Sequence, residues 1–187
     1  MSRRTSRASI FAAAAFALVL AGPAFALPET ARERETPAAA ALARLAALTG
    51  EWEGTFKWTG GRTDRGAMNV RYFTTGYGSA VVETLSTDGV AAMTTVYHTD
   101  GPDLRMTHYC GARNQPRLKA SKIDLAGGAL DFAFVDATNL SAPDAPHVTG
   151  LEVRFGDADH LTLIFGFEGA GKFSRERISL HRVSSKA

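Results

Sequence analysis

The chain has 187 residues, with 21 Lys plus Arg against 19 Asp plus Glu, 45% hydrophobic residues and one cysteine. Residues 1–26 hold Arg3, Arg4 and Arg7 and no acid, so the remainder carries 18 bases against 19 acids and its formal charge is −1 rather than +2. That balance excludes nucleic-acid binding through a broad basic field, and the composition excludes collagen, wholesale disorder and a disulfide scaffold.

In chain order, residues 1–9 are short and basic, 10–22 form an uncharged run rich in Ala, Leu and Phe, and the segment closes on Pro23-Ala24-Phe25-Ala26. Small residues at the two positions read by a signal peptidase predict an export signal, 1–26, cleaved near Ala26. The apolar run is shorter than the ~20 residues that span a bilayer, so no integral membrane span is expected in the mature chain. No Cys follows the run, and Thr5-Ser6-Arg7 lacks the apolar residue of a twin-arginine signal. The expectation is therefore a periplasmic or secreted protein delivered by general secretion. Its 161 remaining residues suit one domain, burying roughly 70% of the surface exposed when unfolded.

Residues 27–36 read as a flexible N-terminal segment, and 37–187 as the folded domain. Thr36-Pro37 has the form of an N-cap followed by proline at the first helical position, and 38–48 is filled with strong helix formers. Leu42, Leu45 and Leu48 recur every three residues as one apolar stripe, and Gly50 is the stop. From residue 51 the period falls to two. Strands are predicted over 51–59, 67–75, 79–86, 92–99, 104–110, 117–125, 129–136, 147–155, 160–167 and 173–183. Gly60-Gly61, Asp88-Gly89, Gly101-Pro102, Gly127-Gly128 and Gly169-Ala170-Gly171 are among the turn signals between them. About ten antiparallel strands with short connections predict an all-β, up-and-down antiparallel barrel with one short N-terminal helix. The one long loop, 137–146, is a lid or rim segment.

Leu48-Thr49-Gly50-Glu51-Trp52-Glu53-Gly54 follows the helix directly, and its Gly50-x-Trp52-x-Gly54 resembles the opening of calycin-type barrels: lipocalins, fatty-acid-binding proteins and haem-binding nitrobindin-like barrels. The resemblance implies a Trp closing the barrel floor beside a short helix, with a late basic residue across the indole. Arg175, Arg177 and Arg182 are candidates for that cation. Ten strands suit the fatty-acid-binding and nitrobindin-like branches better than the lipocalins. The run from Thr94 through Cys110 to Pro116 also resembles uncharacterised exported bacterial barrels of this type, which implies fold more than reaction.

A four-residue turn over 100–103 pairs Thr99 with Leu104, Tyr97 with Met106, Thr95 with His108 and Met93 with Cys110. Alternation then puts Met93, Tyr97, Leu104, Met106, His108 and Cys110 on the more apolar, inward face. Met93, Tyr97, Met106, His108 and Cys110 are accordingly the candidate ligand-binding residues, an apolar wall with a few placed polar groups. The bland alternative has His108 and Tyr97 bonded to each other or to water in a filled core. Cys110 reads as a small buried hydrophobe, because thiolate chemistry needs a depressed pKa and an orienting partner.

The five histidines, His98, His108, His147, His160 and His181, have no paired spacing for a zinc site, so no metal is expected. The nitrobindin-like resemblance implies a haem-ligating histidine late in the chain, which makes His147, His160 and His181 candidates; the local residues select none, and the expected cofactor is none. Gly166-Phe167-Glu168-Gly169-Ala170-Gly171-Lys172 has phosphate-loop spacing, but Phe173 stands where Ser or Thr would bind magnesium and a strand follows, so it reads as a hairpin turn. Glu51 with Glu53, and Asp157 with Asp159, read as solvated pairs. Leu130, Phe132 and Phe134, and Leu161, Leu163, Phe165 and Phe167, should furnish apolar wall. The expected function is binding of a small apolar or amphipathic molecule. The competing readings are a haem-dependent redox barrel, an enzyme using the His108 and Cys110 face, and a structural barrel without ligand.

Overall fold

The computed structural model describes residues 36–183; the expected export signal and residues 27–35 lie outside the described residues. The Thr36 hydroxyl oxygen accepts the Ala39 N–H at 3.1 Å and Pro37 opens the helix, so α1 (Pro37–Ala46) starts where its cap dictates. It ends two residues earlier than expected. Ala47 closes it, and Leu48 continues as a turn whose N–H bonds to the Leu45 carbonyl at 3.0 Å while its side chain stays buried.

Ten strands follow: β1 (Gly50–Gly60), β2 (Arg65–Thr75), β3 (Ala80–Thr87), β4 (Val90–Asp100), β5 (Asp103–Tyr109), β6 (Gln115–Asp124), β7 (Ala129–Thr138), β8 (His147–Phe155), β9 (His160–Gly169) and β10 (Lys172–Arg182). Each pairs antiparallel with the next, and β10 returns to β1, closing the barrel. Closure leaves no strand unpaired along the whole of one side. Two of the hairpin turns have two successive residues at positive φ, Asp88 and Gly89 at 51° and 75°, and Ala170 and Gly171 at 50° and 69°. That conformation matches the twist of the strands it joins, and it makes the apparent phosphate loop the β9–β10 hairpin.

The Gly-x-Trp-x-Gly run shapes the seam between β1 and β10. Gly50 sits at φ 129°, a conformation open to glycine. Trp52 is buried, its indole N–H donating to the Leu48 carbonyl at 2.8 Å. A Cβ on Gly54 would lie 1.9 Å from the Ser179 carbonyl oxygen, so β10 approaches as closely as it does only because that Cβ is absent. Of the three candidate arginines, Arg182 supplies the cation. Its guanidinium lies 4.4 Å from the Trp52 ring centroid and donates to the Ala47 and Thr49 carbonyls at 3.1 and 2.9 Å. One side chain thus ties the last strand to the indole and to the chain leaving α1.

Alternation sends apolar residues inward and charged ones outward. Leu130, Phe132, Leu161, Leu163 and Phe165 are buried as expected, while Arg71–Glu51, Arg117–Asp136 and Arg154–Asp131 pairs decorate the outside. Phe134 departs from expectation. The β6–β7 register shifts beside it, pairing Leu118 with Phe134 but Arg117 with Asp136, and Phe134 is left 37% exposed against the His147 ring. Past Ala133–Gly150, β7 and β8 no longer pair, and the loop 139–146 spans the gap. It is tied to the β5–β6 turn by Asn114, whose side-chain amide donates to the Pro146 carbonyl at 2.8 Å. No helix among the described residues is long and apolar enough to cross a membrane.

Two substitutions test the seam by urea denaturation. Gly54→Ala sets a Cβ against backbone and is expected to cost ~3 kcal/mol or more. Arg182→Ala, losing the ring contact and two carbonyl partners, is expected to cost ~1–3 kcal/mol. Unchanged midpoints in both would contradict this account of closure.

Candidate functional site

The strand directions place α1 at one end of the barrel, beside the start of β1 and the end of β10, and leave the turns at 61–64, 88–89, 110–114 and 170–171 at the other. A cavity of about 400 Å³ opens at that second end. That volume falls in the range of small-molecule sites. Phe56, Met68, Met93, Val148, Phe165 and Phe167 give it apolar walls, and its polar groups come from Arg62, Asp64, His108, Cys110 and Glu176.

Of the five residues singled out by alternation, Met93, His108 and Cys110 line the cavity; Tyr97 and Met106 are buried in the packed layer beneath it. The predicted register holds from Thr99–Leu104 through Thr95–His108 to Thr94–Tyr109. Cys110 falls one residue past the end of β5, so its pairing with Met93 is not made, although both side chains pack against the core. Tyr97 and His108 do not bond to each other. The Tyr97 hydroxyl donates to Oε2 of Glu83 at 3.1 Å, and His108 Nδ1 lies 2.9 Å from the Thr95 hydroxyl oxygen.

His108 is fully buried, its ring 5.1 Å from that of Phe165, and its Nε2 has no hydrogen-bond partner among the described residues. Burial lowers its pKa to about 4, so the imidazole is neutral near pH 7. Burial likewise pushes the Cys110 thiol up, the opposite of what a nucleophilic thiolate requires, and the thiol's hydrogen-bond contact is with the Ala112 backbone N–H at 3.4 Å.

Glu176, on the inward face of β10, stands near the mouth. Burial raises its carboxyl to about 7, offset in part by the Arg62 charge and the Trp58 indole N–H. Arg62 lies over the Trp58 ring at 3.9 Å and over Phe167 at 5.7 Å, covering part of the opening with a cation stacked on aromatic faces. The sequence reading missed this group. Its signal was parity: Phe56 and Trp58 continue the inward face that Trp52 begins, and Glu176 shares its face with the buried Ser174 and Ile178.

Neither His147, His160 nor His181 lines the cavity. His160 and His181 are exposed, against Asp157 and Glu53, and His147 lies by the rim loop with Nδ1 on the Ala145 carbonyl. These three histidines do not fit a haem held in this cavity. No group of three or more His, Cys, Asp or Glu side chains suited to a metal occurs among the described residues.

These features define a class: a closed ten-stranded antiparallel barrel, helix at one end and cavity at the other. No protein-family model matches the sequence, and no curated protein matches it. Among solved structures it is similar to Rv2717c from M. tuberculosis, at 20% identity and a TM-score of 0.54, over 77% of this chain and 98% of that one. It is also similar to a protein of unknown function from the DUF3598 family of Nostoc punctiforme, at 13% identity and a TM-score of 0.52, over 73% of this chain and 48% of that one. The chain thus spans about half of the second protein. At these identities the likeness shows the fold.

Glu176 and His108 give opposed pH dependences. The unfolded Glu176 carboxyl, near 4.5, loses its proton before the folded one near 7, so this group makes stability fall as pH rises through that window. The unfolded imidazole, near 6.5, gains its proton before the folded one near 4, so His108 makes stability rise from about pH 4 to 6.5. Glu83, also raised by burial, acts in the sense of Glu176. Glu176→Gln is therefore expected to gain stability over wild type as pH rises from 4.5 to 7, by ~3 kcal/mol in all. Urea unfolding at stepped pH measures the difference; a pH-independent gap would contradict the assigned environment of Glu176.

Proposed function

We propose that this chain is an exported, calycin-like barrel that holds a small apolar or amphipathic molecule in the cavity above His108. One observation carries the reading: an apolar cavity of about 400 Å³ that counts among its lining residues His108, a buried imidazole whose Nε2 has no hydrogen-bond partner among the described residues. A buried polar atom without a partner costs ~1–3 kcal/mol, and a bound molecule able to meet it removes that cost. Walls of Phe, Met and Val supply affinity without direction, and the few polar groups set orientation. The Gly50-x-Trp52-x-Gly54 floor and the Arg182 stack have the arrangement expected of calycin-type barrels and support that membership. Export rests on the sequence of residues 1–26.

An enzyme built on Cys110 is the weaker reading, since its thiol is driven toward the protonated form.

Native mass spectrometry of protein isolated from its own source tests the proposal. The expected spectrum shows one bound organic molecule per chain, lost in Met93→Trp, which fills the cavity while far-ultraviolet circular dichroism stays that of a β-barrel. Bare protein at every stage of isolation would count against it. An absorbance band in the Soret region would replace the proposed ligand by haem.

A further inference from the structure

The register of three strands lays down the inward face at the mouth of the cavity. Trp58 on β1 lies opposite Glu176 on β10, and Glu176 lies opposite Phe165 on β9, so one carboxyl stands between two aromatic side chains. Residues directly opposite have Cβ atoms ~5 Å apart, which makes both rings its neighbours. Phe167 completes the group, its ring meeting that of Trp58 edge-on with centroids 5.6 Å apart. All four side chains line the cavity, and Glu176 is 4% exposed.

This aromatic corner already holds a cation. The Arg62 guanidinium lies 3.9 Å from the Trp58 ring centroid and 5.7 Å from that of Phe167. Ring faces attract a cation, and a carboxylate beside them adds to the attraction. Arg62 is exposed in the turn between β1 and β2, and no ion pair or hydrogen bond among the described residues holds its guanidinium. The arm is free to leave. A cation carrying its own apolar body would make the same ring contacts and also fill the cavity of about 400 Å³ that Arg62 leaves open.

Charge decides against an anion. The ionisable groups of the lining are Arg62 and Asp64 from the β1–β2 turn, His108 and Cys110 at the end of β5, and Glu176 on β10. Burial keeps His108 neutral and Cys110 protonated, which leaves two acids against one base. An anion drawn to Arg62 would meet both carboxylates.

We propose that the cavity takes an apolar amine, whose ammonium replaces the Arg62 guanidinium against Trp58 and Phe167 beside the Glu176 carboxylate while its body lies along Phe56, Met68, Met93 and Val148. The inference rests on the cavity being a ligand site and names the class of molecule it takes. His108 stands on β5, five strands round the ring from β10, so the ammonium and any atom that meets His108 are separate groups of the ligand.

Three probes sharing one ring system test it on the full chain by titration calorimetry: 1-naphthylmethylamine, 1-naphthylmethanol and 1-naphthylacetate. At pH 8 the amine is expected to bind at least about tenfold more tightly than the alcohol, and the acetate more weakly than either. Arg62→Ala should tighten the amine by vacating its place, and Glu176→Gln should bring it down to the alcohol. Burial raises the Glu176 carboxyl to about 7, with the Arg62 charge and the Trp58 indole N–H pulling against it. Amine affinity should therefore rise about tenfold from pH 6 to pH 8 as Glu176 ionises, while alcohol affinity stays level. The amine stays protonated over that range, and His108, at about 4, stays neutral. That profile needs only the wild type, so it decides the matter even if a variant fails to fold. An amine no tighter than the alcohol, or a flat profile, overturns the cation site and leaves the ligand site standing. The acetate binding most tightly gives the place to an anion on Arg62 and overturns the proposal likewise; binding of none of the three overturns both.

Discussion

Everything in this barrel depends on how the last strand is brought against the first. Ten antiparallel strands make a closed wall only if β10 reaches β1, and the approach is closest where Gly54 offers no Cβ to the Ser179 carbonyl. Arg182 fixes the same seam from the other side, lying over Trp52 and holding the carbonyls with which the chain leaves α1. Closing the ring, seating the helix and burying the indole are one event. Because α1 and Trp52 occupy one end, the space left unfilled lies at the other, where Phe56, Phe165 and Phe167 stand apart around the cavity.

A barrel interior needs no polar residues for closure, and burying them without partners is costly. This one contains Glu83, Thr95, His108 and Glu176 among its buried side chains. The first three lie in adjacent strands at one level: Oε2 of Glu83 accepts from Tyr72 and Tyr97, and the Thr95 hydroxyl oxygen lies 2.9 Å from His108 Nδ1. Two of their atoms are left over. Oε1 of Glu83 and Nε2 of His108 have no partner among the described residues, and His108 belongs to the cavity wall. A buried polar atom left unmet on a residue that lines a void has the form of half a binding site. Side chains held in place before any ligand arrives lower the ordering that binding requires.

Much of this architecture is legible in the sequence, because alternation and turn chemistry are local signals. The strand count, the Asp88-Gly89 and Ala170-Gly171 turns, the Thr36 cap and the β4–β5 register all follow from residues within a dozen positions of one another. Features that depend on two distant segments were less accessible. Phe134 keeps the parity of Phe132 and pairs with the buried Leu118, yet it stands where β7 and β8 have stopped pairing, beside the His147 ring, and stays 37% exposed. Glu176 alternates with exposed neighbours and Glu83 stands between Val82 and Thr84, but only the closed barrel shows that both point inward, Glu83 at Tyr72 and Tyr97 and Glu176 at Trp58. Tyr97 and Met106 shared a face with His108 as expected; what alternation could not supply was depth along the barrel axis, which puts them below the cavity floor. Arg62 lies in a turn and came within reach of Trp58 through loop geometry that no periodicity encodes.

The most direct test of the central claim is a high-resolution crystal structure of the protein purified from its own source without added ligand. Density is expected for a non-protein molecule in the cavity, with one of its oxygen or nitrogen atoms ~3 Å from Nε2 of His108. A cavity closed by its own side chains, or holding ordered water alone on Nε2, would contradict it.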